Sequence, residues 1–287
     1  MTNLGSGDLA IIGFNFDNPD ELAFVLLENI SSGTQIKFTD KGWQISNEFR
    51  NSEGIYTWIA DQDYQAGTVI NTLAAGVAFS SSGDQIIAYQ ENLNLIYALN
   101  SEGNGWQNDA TSSNTSTLPH GLINGETAIA LPEIDNAIYG GITTGTKTEL
   151  LTAISNPLNW SGDNSQRQTF EQMPIFNVIN NAPQIDTIAS QFNVRTETDL
   201  SIAGINIIDL EAEDQNITIT LKVNQGSLSI NTEVTNGLSS GDILNNDTSN
   251  VALFGSLSTI NTTLWDPLGL IYRSNQDFNG IDNLTVL

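Results

Sequence analysis

Ile217-Thr218-Ile219-Thr220-Leu221-Lys222-Val223 alternates apolar and polar residues without a break. A β-strand turns successive side chains to opposite faces. This period of two therefore places Ile217, Ile219, Leu221 and Val223 on one buried face and Thr218, Thr220 and Lys222 on the other. Thr34-Gln35-Ile36-Lys37-Phe38-Thr39-Asp40 reads the same way in the N-terminal half. Around these two stretches lie short apolar runs punctuated by Gly, Asn and Asp, the pattern of short strands joined by turns. Strands are expected over 9–14, 22–27, 54–58, 68–71, 76–79, 85–89, 95–99 and 127–131. In the C-terminal part they are expected over 191–194, 200–202, 206–208, 226–230, 251–255, 257–264, 270–272 and 283–287. Residues 148–154 read as one short helix. Nothing shows the regular strand and long-helix alternation of a parallel α/β protein. The fold class is therefore all-β: a β-sandwich-like N-terminal module followed by a second, immunoglobulin-like β-sandwich.

The character of the chain changes at Asn177-Val178-Ile179-Asn180-Asn181-Ala182-Pro183, after the Met173-Pro174 turn. Residues 1–176 are expected to form the first module, 177–182 a linker and 183–287 the second. Of the 287 residues, 33 are acidic and 8 basic, a net charge of -25, yet only 14% are charged and 39% are apolar. Eleven Phe, six Tyr and five Trp speak for a folded chain rather than an acidic tail. So negative a field, with no basic cluster, repels phosphate backbones and excludes nucleic acid and anionic membranes as partners. Divalent cations are its natural partners. There is no cysteine, which removes disulfides, thiolate chemistry and Cys-ligated zinc. No apolar stretch approaches the roughly 20 residues of a membrane span. Met1 is followed by Thr2-Asn3-Leu4-Gly5 rather than a basic region and an apolar core, and the last apolar run stops at Leu287. A larger parent chain is the expectation.

Several stretches carry resemblances. Asn181-Ala182-Pro183, Ile207-Ile208-Asp209-Leu210-Glu211-Ala212-Glu213-Asp214, Leu221-Lys222-Val223-Asn224-Gln225-Gly226-Ser227-Leu228 and Asp277-Phe278-Asn279-Gly280-Ile281-Asp282-Asn283-Leu284 together resemble the cadherin-like repeats of bacterial exported and adhesin-type proteins. That resemblance implies a calcium-binding-type sandwich over 183–287, with calcium at its acidic loops. Gly7-Asp8-Leu9-Ala10-Ile11-Ile12-Gly13-Phe14, Gly33-Thr34-Gln35-Ile36-Lys37-Phe38-Thr39-Asp40-Lys41-Gly42-Trp43, Ser82-Gly83-Asp84-Gln85-Ile86 and Leu118-Pro119-His120-Gly121-Leu122 look like an exported bacterial all-β module of poorly defined function. Both resemblances imply a secreted or cell-surface location in a multidomain protein.

Hard oxygen ligands at short spacing suit a cation of six- to eight-fold coordination. Asp209, Glu211, Glu213 and Asp214 form one such set, and Asp277, Asn279 and Asp282 a second. These seven residues are the candidate ligands for calcium (Ca2+), set against a reading of both segments as solvated acidic loops with an Asx turn. In the first module Asp17, Asp20 and Glu21 lie close in sequence, with Asp40 one strand away, as turn formers or as a hydrolase's carboxylates. His120 is the sole histidine, and no Gly-x-Ser-x-Gly elbow accompanies it. Trp43, Trp58, Trp106 and Trp160 suit either core packing or a carbohydrate-stacking face. The reading that results is a non-enzymatic, calcium-stabilised structural or adhesion fragment of an exported bacterial protein, with a protein or polysaccharide surface as partner. A carbohydrate-binding accessory module and a metal-dependent hydrolase are the alternatives.

Overall fold

The computed structural model describes residues 1–51, 53–171, 173–209, 212 and 216–287. They divide into two units, Met1–Asn180 and Asn181–Leu287. The regular structure of both is mostly strand, with two short helices of the α type among the described residues. No helix among them is long and apolar enough to cross a membrane.

The first unit contains β1 (Leu9–Asn15), β2 (Glu21–Leu26), β3 (Gln35–Thr39), β4 (Tyr56–Ile59), β5 (Val69–Leu73), β6 (Gln85–Gln90), β7 (Asn94–Asn100), β8 (Ala128–Ala130), β9 (Asn136–Tyr139), β10 (Thr144–Gly145), α1 (Lys147–Ile154), β11 (Trp160–Asp163) and β12 (Asn177–Val178). One five-stranded sheet runs β11-β9-β1-β2-β5 and a second runs β4-β3-β6-β7-β8. Their pairings are antiparallel except for β7 with β8. The two sheets share one core. Phe24 of β2 and Phe38 of β3 meet within it, ring centroids 4.9 Å apart. Every residue of β1 is buried, which explains its unbroken apolar run. A strand covered on both faces has no reason to alternate. α1 packs against β1, and the Phe170 ring lies so close to Gly13 that a Cβ there would meet it at 2.7 Å. The outer face of the second sheet is covered as well, by a cluster of Trp43, Ile87, Tyr89, Leu95, Ala98, Leu122 and Ala128.

The second unit contains β13 (Gln184–Thr187), β14 (Asp199–Ile202), β15 (Ile205–Ile208), β16 (Asn216–Lys222), β17 (Gly226–Ile230), β18 (Ile243–Leu244), β19 (Asn250–Ser256), α2 (Leu257–Trp265), β20 (Leu270–Ser274) and β21 (Thr285–Val286). Its sheets are β13-β15, β14-β20-β17 and β18-β19-β16-β21. β16 alternates as its sequence requires, with Ile219, Leu221 and Val223 in the core and Thr218 and Lys222 exposed.

Several expectations are corrected. Residues 257–264 form a helix rather than a strand. Ser256 caps it by accepting a hydrogen bond from the Thr259 N–H at 3.2 Å, and Ile260, Thr263 and Leu264 turn to the core at helical spacing. Thr favours strands, but burial of one helical face outweighs that propensity. Residues 76–79 and 191–194 are irregular. Asn177 and Val178, expected in a linker, pair in parallel with β10. The short polar strands β10, β11 and β13 and the four-residue β9 gave no period to read. At β11 the Gly162 backbone lies so near β9 that a Cβ would meet the Asn136 carbonyl oxygen at 2.1 Å. Glycine there reports close backbone approach rather than a turn.

Candidate functional site

The seven expected calcium ligands divide between described and undescribed residues. Glu211, Glu213 and Asp214 lie outside the described residues. Asp209 follows β15 directly, and its Oδ1 accepts the Ala212 N–H at 3.1 Å. Asp277 sits in a turn with φ at 61°, and Asn279 is exposed beside it.

Asp282 is bonded through both oxygens to backbone and to one tyrosine. Its Oδ1 accepts the Asn224 N–H at 3.0 Å and its own successor's N–H, on Asn283, at 2.9 Å. Its Oδ2 accepts the Gln225 N–H at 2.7 Å and the Tyr272 hydroxyl at 3.1 Å. A carboxylate offers about four lone-pair positions, so these donors saturate it. Desolvation pushes the carboxyl up, but the donors more than offset that and hold it below the usual carboxylate range. Tyr272 is pushed up to about 12 by desolvation and by its bond to this carboxylate. Asp282 thus clamps the turn between β16 and β17 onto β20. Among the described residues, no three His, Cys, Asp or Glu side chains are grouped to hold a metal ion.

The first unit concentrates carboxylates around the chain leaving β3. Asp40 is 3% exposed; its Oδ1 accepts the Gly54 N–H at 2.8 Å and its Oδ2 the Ala78 N–H at 3.0 Å. Asp20 Oδ2 accepts the Phe79 N–H at 3.2 Å. Asp84, also 3% exposed, takes the Ser80 N–H on Oδ2 at 2.8 Å and the Gln85 N–H on Oδ1 at 2.9 Å. These bonds account for the irregular course of 76–79, where backbone N–H groups are directed at side chains instead of a neighbouring strand. Desolvation drives the Asp84 carboxyl up to about 8, aided by the negative charges of Asp40 and Glu53. Glu53 is itself raised, first by desolvation and then by Asp40, although Arg50 beside it, at 2.9 Å, counteracts this. Asp20 is raised by desolvation and by Asp40.

The residues expected as a hydrolase cleft do not assemble as one. Asp17 is bonded elsewhere, its Oδ2 accepting the Asn136 amide at 2.8 Å, while Asp20 and Asp40 hold backbone. A groove of about 500 Å³ is lined by residues 66–69, 71, 170–171 and 173–176 among the described residues, and none of Asp17, Asp20 and Asp40 lines it. His120 is exposed in a turn closed by the Leu122 N–H donating to the Pro119 carbonyl at 3.1 Å.

The four tryptophans of the first unit do not form an exposed stacking face. Trp43 is 3% exposed and meets Phe49 edge-on. Trp58 meets Phe24 edge-on at 5.4 Å. Trp106 is partly buried and donates its Nε1–H to Asn124 at 2.9 Å, and Trp160 donates its own to the Ile154 carbonyl at 2.7 Å. Large aromatic faces lose more by exposure than a free-standing platform retains, so they are drawn into packing.

Two polar features escaped the sequence reading. Asp84 lies immediately before the apolar run of β6, but that position did not reveal its burial. Lys147 and Asp8, far apart in sequence, form an ion pair at 2.5 Å with both residues 5% exposed. The comparisons with family models, with curated proteins and with solved structures find no match for this chain.

Proposed function

We propose that this chain is a non-enzymatic structural or adhesion piece of an exported protein, a tandem of β units that holds loops rigid and offers its surface to a partner. The observation that carries this reading is the use made of three carboxylates, two of them buried and the third half-buried. Asp40, Asp84 and Asp282 each direct both oxygens at protein N–H groups. Groups held in this way stiffen loops and are poorly placed to exchange protons with a substrate, which needs a donor or acceptor within hydrogen-bond reach. Each unit also has a core of its own, as expected of modules strung along a longer chain.

Calcium belongs to this proposal at the acidic segment 209–214. Four carboxylates over six residues repel one another until a cation neutralises them, so cation binding would add directly to the stability of the second unit. The test is thermal unfolding of metal-stripped protein with and without millimolar calcium, using magnesium as the control. A calcium-specific rise in the unfolding temperature that disappears in the Asp209→Asn/Asp214→Asn double variant is expected. Equal melting with and without calcium would remove the cation from the proposal.

A further inference from the structure

Strand β5 forms an outer edge of its sheet, and its pairing fixes which backbone groups face away. Leu26 donates its N–H to the Thr68 carbonyl at 2.9 Å, and Ala74 donates to the Asp20 carbonyl at 2.9 Å. With Phe24 opposite Ile70 and Leu22 opposite Thr72, the even-numbered residues of β5 bond to β2. The N–H and C=O groups of Val69, Asn71 and Leu73 therefore point off the sheet. Among the described residues, no backbone partner takes up the Val69 and Asn71 groups.

This edge borders the groove of about 500 Å³. Its far wall carries Met173, Pro174 and Ile175, and the buried residues Phe170 and Phe176 line the groove with them. At one end Gly67 closes the groove against this wall. A Cβ on it would meet the Phe176 carbonyl oxygen at 2.3 Å, and its φ of +89° favours glycine independently. Edge strands are ordinarily blunted by lysine, proline, a bulge or a covering element. β5 reads Val-Ile-Asn-Thr-Leu, carries no charge and leaves Leu73 57% exposed.

We infer that the groove beside β5 accepts an extended, basic segment of a partner protein, which adds as a strand through the outward backbone groups of Val69 and Asn71. Main-chain bonds would supply the affinity, and the apolar wall at Met173 and Ile175 would receive alternate side chains. Charge selects the occupant. The first unit carries 20 acidic residues against 5 basic ones, and among the described residues Glu171 lines the groove and no basic residue does. A second copy of the chain brings a further charge of -25 and is repelled, whereas a lysine-bearing strand is drawn in. This proposal specifies the partner of the reading above, rests on it only for the existence of a protein partner, and is independent of calcium.

The experiment titrates the whole chain into a fluorescently labelled peptide of alternating valine and lysine, at physiological salt with chelator present, and follows anisotropy. The control peptide has the same side chains with alternate backbone nitrogens methylated. The Asn71→Pro variant removes one outward N–H while leaving the bonds to β2 in place. Saturable binding of the first peptide is expected, with at least a tenfold loss both in the variant and for the methylated peptide. Equal binding of the two peptides by the wild-type chain would reduce the effect to charge attraction and overturn the proposal, and this comparison stands even if Asn71→Pro does not fold. Absence of binding, or concentration-dependent dimerisation abolished by Asn71→Pro, would overturn it too, the latter by assigning the edge to a second copy. Because chelator is present throughout, failure here is separate from failure of the calcium test.

Discussion

At the position of Asp84, burial among Asp40 and Glu53 favours the protonated carboxyl, raised to about 8 from an ordinary value of 3.8. The folded chain holds this proton more tightly than the unfolded chain does. Its contribution is therefore fully present below about 4 and is lost as pH rises towards 8. Within that window one retained proton changes stability by about 1.4 kcal/mol per pH unit. Burial raises Asp20 and Glu53 as well, so the clean readout is a difference. Denaturant unfolding of wild type and Asp84→Asn across pH 4 to 8 should show the variant gaining relative stability as pH rises, and parallel curves would refute the assignment. Lys147 and Asp8 form the second buried polar feature, with Glu28 at 3.8 Å from the same ammonium. Lys147→Met leaves Asp8 without its cation and should cost about 3–5 kcal/mol, whereas pairing it with Asp8→Leu should restore much of the loss. Thermal melts of the single and double variants decide this.

The turn between β16 and β17 depends on one side chain outside it. Asp282 satisfies the N–H groups of Asn224 and Gln225 from a distant segment. Hydrogen bonds to a charged acceptor contribute about 1.5–3 kcal/mol, so Asp282→Ala should destabilise the second unit by about 2–4 kcal/mol after partial rehydration. Hydrogen exchange should show faster exchange at Asn224 and Gln225, with the pattern at β19 much less affected. The helix α2 is joined to β15 in a comparable way. The Asn261 amide accepts the Ile207 N–H and donates to the Ile207 carbonyl, both at 2.8 Å, pairing with a backbone edge as a strand would. Sequence alternation made β16 legible, and continuous apolar runs made β1, β6 and β7 legible. The same sequence left α2 misread, because its Leu257, Ile260 and Leu264 spacing competes with a Thr-rich stretch of strand-forming type.

Across the whole chain, two separate cores imply two cooperative units. Calorimetry of the intact chain should give two transitions, with Leu228→Ala, which empties a fully buried position of the second core, lowering only one of them. A truncation of this kind costs about 2–5 kcal/mol. A single transition displaced as a whole would show that the units unfold together. The net charge of -25 works against compactness at low ionic strength, an effect that salt screens.

The sequence alone determined the all-β class, because a period of two and short apolar runs separated by turn residues are local properties of the chain. It also determined the net charge of -25, since net charge needs no coordinates. Tertiary structure decided what each carboxylate does. Only the fold brings backbone N–H groups from distant segments to Asp40 and Asp282, and only the fold buries Asp84 with its local N–H partners Ser80 and Gln85. It also decided that the four tryptophans of the first unit pack against neighbours and that β5 is an edge. Neighbours in space, which sequence order does not specify, set burial, hydrogen-bond partners and the free side of a sheet.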